Sequence, residues 1–118
     1  MAEIFDLLPA RSFVYGNQSF RYGKREAADE ACRKAFVLAQ ERPEALPLFV
    51  QEANRWLCRK SSYDHHDYKF VAAILEDVDW VSPQWQPHLL AASVHWFHGK
   101  QSPDHPAVQQ AREAIKKL

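Results

Sequence analysis

The chain predicts a mostly α fold: a single-domain antiparallel helical bundle, or stacked helical hairpins, of about five helices, preceded by a small N-terminal β-hairpin or extended arm. Three observations carry this expectation. From Lys24 onward apolar residues recur at three- and four-residue intervals in successive segments. The prolines at 43, 47, 83, 87, 103 and 106 fall where those segments begin or end, positions that tolerate a missing amide proton. Finally, 118 residues with 47% hydrophobic and 25% charged side chains suffice for one packed core and argue against a charge-extended tail.

The first segment, Ile4 to Leu8, is a short apolar piece ended by Pro9. Ser12-Phe13-Val14-Tyr15 and Gln18-Ser19-Phe20-Arg21-Tyr22 then bring aromatic and β-branched residues around Gly16-Asn17, a pair suited to a two-residue hairpin turn. Two strands alone are marginal in water, so such a hairpin lays one face on something apolar or stays an irregular arm. The first long helix is expected from Lys24 to about Gln40, with Ala28, Cys32, Ala35, Phe36 and Ala39 on its apolar face and a stop before Pro43.

A second helix opens near Pro43 or Pro47, carries Leu46, Phe49, Val50, Ala53, Trp56 and Leu57 as a stripe, and ends at Ser61-Ser62. Asp64 is placed to cap a third, with Val71, Ile74, Leu75 and Val78 following at helical spacing and an end at Asp79 or Trp80. The connector from Trp80 to Pro87 holds two prolines and cannot be a regular helix throughout. The fourth helix is expected from Pro87. It is apolar around most of its circumference, with Gly99 as its stop, and is therefore expected to be the most buried. The fifth follows Pro106, with Val108, Ala111, Ile115 and Leu118 as a narrow seam that should dock on one neighbour. The organisation is one domain, 1–118, with an arm over 1–23 and a bundle over 24–118.

The segment 102–106 and the amphipathic helix after it resemble the linker and next helix of tetratricopeptide-type repeats, without that repeat's other landmarks. The resemblance implies helical-hairpin architecture and no binding residue.

Charge and targeting features narrow the function classes. Fifteen basic against fifteen acidic residues give no net charge, which disfavours a general grip on nucleic acid or an anionic membrane. Met1 to Asp6 carries two acids where a secretory leader needs a basic segment, and no stretch nears the roughly 20 apolar residues of a membrane span. A soluble, cytoplasmic protein with reduced Cys32 and Cys58 is expected.

Catalytic constellations are thin. His95 and His98, three apart on the expected fourth helix, could approach a common point, with Asp64 or Asp67 completing a shell, and His88 lies too far along the axis to join them. His66-Asp67 resembles the HD phosphohydrolase motif and Asp64-His65-His66 the DHH phosphoesterases. Both families place further ligands in larger domains, and helix-capping explains these acids more simply. The simpler expectation is that the histidines hydrogen-bond or meet solvent, with no metal and no cofactor, and that the cysteines sit among core residues. Three glycines leave no phosphate-cradling loop.

Interaction features remain. Residues 1 to 60 hold ten Lys+Arg and eight Asp+Glu, and 61 to 118 hold five and seven, so the halves are +2 and −2. The basic peak lies in the arm, where Arg21 and Arg25 stand near Phe13, Tyr15, Phe20 and Tyr22. Trp56 and Trp96 fall in apolar stripes and belong to the expected core. Trp80 and Trp85 flank the proline-rich connector, where they plug the open end of the bundle or protrude as anchors, plugging being the commoner fate of large aromatics. The leading expectation is a non-enzymatic protein–protein interaction module, an adaptor, inhibitor or regulatory subunit. Its partner-binding residues are Phe13, Tyr15, Phe20, Arg21, Tyr22, Arg25, Trp80 and Trp85, and self-association is one form such binding can take. The alternatives are a nucleic-acid-associated regulator using the arm and, behind it, a His/Asp metal-dependent hydrolase.

Overall fold

The computed structural model describes residues 1–9, 12–13, 19–20, 25–60 and 65–118, with no side-chain description for residues 12, 13, 19, 20, 25, 65 and 67. Six α-helices are among them: α1 (Ala2–Leu7), α2 (Arg25–Glu41), α3 (Leu46–Arg59), α4 (His65–Asp77), α5 (Gln86–Ser93) and α6 (Pro106–Lys116). The protein is a helical bundle, as the apolar periodicity predicts. The opening apolar piece is itself a helix, which adds one to the expected five. Its Ile4 and Phe5 are buried because α1 packs on the alanine face of α2.

Two-residue strands β1 (Ser12–Phe13) and β2 (Ser19–Phe20) pair antiparallel, with Ser12 opposite Phe20 and Phe13 opposite Ser19. A two-residue turn at Gly16-Asn17 would instead set Phe13 opposite Phe20, so the register is shifted by one. The turn itself lies outside the described residues.

Ala28, Ala31, Ala35 and Ala39 of α2 are buried at helical spacing. Their small side chains let α1 and α5 both pack against α2, so α2 and not the expected fourth helix is the central one. The core centres on three phenylalanines from three parts of the chain. Phe49 of α3 lies with its ring centroid 5.4 Å from Phe5 and 6.0 Å from Phe97. Leu8, Val71, Leu90 and Val94 close around them. Pro43–Ala45 and Pro83–Trp85 form 3-10 turns that feed directly into α3 and α5, so the prolines open these helices as expected.

The fourth expected helix departs furthest from its sequence reading. α5 lasts eight residues, continues as a 3-10 turn over Val94–Trp96, and becomes extended at Phe97. Pro87, Leu90, Ala91, Val94 and Phe97 face inward, whereas Trp85, His88, Ala92, His95 and Trp96 are exposed. α5 is therefore buried on one side only. Gly99 is not a helix stop either. It lies where the chain crosses α1: a Cβ there would stand 2.5 Å from the Phe5 carbonyl oxygen and 2.6 Å from the Leu8 Cβ. Lys100 N–H donates to the same Phe5 carbonyl at 2.9 Å.

α6 is attached through its base. The Lys60 ammonium, 5% exposed, donates to Asp104 at 2.8 Å and to the Lys100 carbonyl at 3.2 Å. Arg59 bonds the same carboxylate at 3.3 Å, Arg112 reaches it at 3.7 Å, and His105 N–H donates to the Arg59 carbonyl. His105 also caps α6, its Nδ1 accepting from Ala107 N–H at 3.1 Å. No residue of α6 is buried, contrary to the expectation that its seam docks on a neighbour.

The Lys60–Asp104 contact yields an asymmetric prediction. Asp104→Asn leaves a buried ammonium without its counter-charge and is expected to cost about 2 kcal/mol, below the range for fully buried pairs because Asp104 is partly solvated. Lys60→Met removes that buried charge, leaves Asp104 with Arg59 and Arg112, and is expected to be near neutral. Equal losses in urea titrations of the two variants would contradict this assignment. Hydrogen bonding from Lys60 first, helped by Arg59, holds the Asp104 carboxyl below its ordinary value. The depressed group binds its proton more weakly folded than unfolded, so its contribution is fully present above about pH 5. It is lost as pH falls through the unfolded value near 4 and then the lower folded one.

Candidate functional site

Because α5 buries only one face, its other face forms a ridge. Trp85, His88, Ala92 and Trp96 are its exposed members, with Trp85 in the 3-10 turn before α5 and Trp96 in the one after it. His88 is braced on both sides: its ring meets Trp85 at 5.2 Å and stands edge-on to Phe36 of α2 at 5.0 Å. At the other end Trp96 packs on Phe70 of α4 at 5.2 Å. Trp85 is 55% exposed, Phe70 40% and Trp96 37%. Trp80, at the close of the turn after α4, is 87% exposed.

These exposures correct two expectations. Trp80 and Trp85 do not plug the bundle; next to them the half-buried Gln86 donates its side-chain amide to the Val78 carbonyl at 2.9 Å. Trp96 is not a core residue, because the tightening into a 3-10 turn leaves Val94 and Phe97 as the inward side chains. Trp56, expected in the core, is half-buried and packs against the core from its edge, with Arg55, Arg59 and Lys60 cations 5.1 to 5.6 Å from its ring.

Phe70 and Trp96 escaped the sequence reading, although a signal for their meeting was present. In two antiparallel helices joined by a short connector, residues equally distant from it meet. Val78 with Gln86, and Phe70 with Trp96, are nearly equidistant from Ser82-Pro83. Of the other expected partner-binding residues, Phe13 and Phe20 have only their backbones described and Arg25 opens α2. Tyr15, Arg21 and Tyr22 lie outside the described residues.

The arrangement gives no shared histidine site. His95 is exposed, with Nε2 3.5 Å from Asp29, whereas His98 is buried beyond the end of the 3-10 turn. The helical i, i+3 relation that would have aimed both at one point is absent, because the helix ends at Ser93. Among the described residues no three His, Cys, Asp or Glu side chains gather as a metal shell; Asp64, and the side chains of His65 and Asp67, lie outside them.

Cys32 donates its thiol proton to the Ala91 carbonyl at 3.0 Å, and burial, with Asp29 beside it, raises its pKa. Such a thiol is a poor nucleophile at neutral pH. Cys58 is exposed rather than in the core, since the stripe of α3 that packs inward runs through Phe49, Ala53 and Leu57.

A concavity of about 470 Å³ lies between α1 and α2, lined by Ile4, Val37 and Leu38. On its rim Arg33 pairs with Glu30 at 2.6 Å and Lys34 with Glu3 at 3.3 Å. No helix among the described residues is long and apolar enough to cross a membrane. No protein-family model, curated protein or solved structure matches this chain.

Proposed function

We infer that the protein is a protein–protein interaction module, acting as an adaptor, inhibitor or regulatory subunit without catalysis of its own, in the reducing cytoplasm. The observation that supports this reading is the display of Trp80, Trp85, Phe70 and Trp96 along the α4–α5 edge. Exposing large aromatic surface to water is unfavourable, and Trp is enriched where partners bury it as an interface anchor. The two residues that hold His88 in place give the ridge a fixed shape before binding, which lowers the ordering cost of association. Phe13, Tyr15, Phe20, Arg21, Tyr22 and Arg25 of the arm belong to the same reading as a second contact element.

The test is affinity capture from native lysate with mass spectrometry, comparing the parent with a Trp80→Ala, Trp85→Ala double variant. Both side chains are mostly exposed, so the helical circular dichroism should be unchanged. Removing an interface anchor costs at least about 2 kcal/mol, so captured partners should fall by roughly thirtyfold in affinity or be lost. Capture of the same proteins at the same level by the folded double variant would refute the ridge as a docking surface.

A further inference from the structure

A smaller concavity, of about 280 Å³, lies where α3 begins and α4 ends, lined by Leu46, Pro47, Val50, Val78, Asp79 and Gln86. Four of the six are apolar. Gln86 commits its side-chain nitrogen to the Val78 carbonyl, which leaves its oxygen as the acceptor it offers. The exposed Asp79 carboxylate makes no ion pair and no hydrogen bond among the described residues.

The stretches that build this concavity are one-sided in charge. Residues 43–54 and 70–99 supply all six lining residues and the ridge, and they contain five acidic side chains, three histidines and not one Lys or Arg. Glu44 is paired with Arg42 at 3.3 Å and Glu52 with Arg55 at 3.5 Å. Glu76, Asp77 and Asp79 pair with no cation among the described residues. All three stand at the C-terminal end of α4, which has no basic residue in its last turn. The helix dipole already makes that end negative, so carboxylates there are unfavourable until a cation approaches. At the far end of the ridge Asp29, 3.5 Å from His95, adds a further acid.

We propose that this concavity receives a cationic side chain with an aliphatic stem, a lysine or arginine, from the partner that docks on the ridge. This rests on the reading of the ridge as a protein-docking surface and names the chemistry of what docks. The stem lies against Leu46, Pro47, Val50 and Val78, and the charged head meets Asp79 and the Gln86 oxygen. Long basic side chains bury their stems on apolar surface while the head stays in water. Because Asp79 is exposed, the pair forms without the desolvation cost of a buried ion pair. Trp80 follows Asp79 and Trp85 precedes Gln86, so two exposed tryptophans flank the lining in the chain, and their ring faces attract cations. An anionic segment would meet only like charge here.

The test is a titration of the protein, its amides followed by heteronuclear NMR, with three blocked pentapeptides: Gly-Leu-Lys-Leu-Gly and its twins with norleucine or glutamate in place of lysine. Norleucine keeps the four-carbon stem and lacks the ammonium. The lysine peptide should shift the amides of Val50, Val78 and Asp79 saturably at millimolar concentrations. It should bind about fivefold more tightly than the norleucine twin, the upper end for an ion pair open to water, and the glutamate twin should leave these amides unmoved. Asp79→Asn should bring the lysine peptide down to the norleucine affinity and leave the norleucine affinity unchanged. Its fold should be intact, since the Asp79 side chain bonds to nothing among the described residues. Equal affinities of the lysine and norleucine peptides for the parent, an undiminished lysine affinity in Asp79→Asn, or no saturable shift at the concavity would each overturn the proposal. The lysate comparison of the tryptophan variant, which leaves Asp79 in place and uses no basic peptide, decides the docking reading separately.

Discussion

Phe49→Ala is expected to lower the stability of the fold by about 4 kcal/mol and its melting temperature by about 15 °C. Phe49 is fully buried, and its ring joins those of Phe5 and Phe97, so it connects α3 to α1 and to the strand-like exit from α5. Truncation removes the transfer free energy of a benzyl group and leaves a void bounded by two rings and the leucines around them. Rings fixed in place by three separate elements cannot collapse into that void together. The loss would be a large part of the 5–15 kcal/mol that typically holds a domain folded. Thermal and urea unfolding followed by circular dichroism give the number. A loss below about 1.5 kcal/mol would mean that Phe49 is not the centre of the core.

Gly99→Ala should also destabilise strongly, by about 3 kcal/mol, although it adds a single methyl group. At an unconstrained site the same change stabilises by about 0.4–1 kcal/mol, because it narrows the unfolded ensemble. Here the sign reverses. The new Cβ would meet the Phe5 carbonyl oxygen and the Leu8 Cβ well inside van der Waals contact, and neither is the movable end of a flexible side chain. Relief requires α1 and the 97–105 segment to separate, which strains the Lys100 to Phe5 hydrogen bond and the burial of Leu8. The effect should also reach α6, because the same segment carries Asp104 to Lys60. Hydrogen exchange at Lys100 and Ser102, whose amides donate to Phe5 and Gly99, should accelerate in the variant more than exchange in the middle of α2. A neutral or stabilising result would show that α1 does not press against residue 99.

The helices were legible wherever apolar and polar residues alternate with helical period. α2, α3 and α4 bury the faces their spacing predicts, through Ala28, Ala35 and Ala39, then Phe49, Ala53 and Leu57, then Val71, Leu75 and Val78. Prolines 43, 83 and 106 mark openings because a residue without an amide proton costs nothing in a first turn. Of the candidate site, Trp80 and Trp85 were legible as connector residues, but their exposure was not.

Three features belonged to the tertiary structure alone, each for a physical reason. Leu89, Leu90, Ala91, Ala92, Val94, Trp96 and Phe97 are apolar nearly all round their segment, so no periodicity distinguishes an inner from an outer face. Contact with the small side chains of α2, and the change to a 3-10 turn at Val94, make that choice and leave His88, Ala92 and Trp96 outside. The seam of α6 predicts an amphipathic helix, which forms, but amphipathicity states only that a face is available. The direction of α6 is set by Lys60, Arg59 and Arg112 converging on Asp104 from distant parts of the chain, and it leaves Ile115 and Leu118 exposed. Gly99 reads equally well as a helix stop or as a crossing point, because a missing side chain satisfies both. Only the approach of α1, nearly a hundred residues earlier, makes it a crossing point.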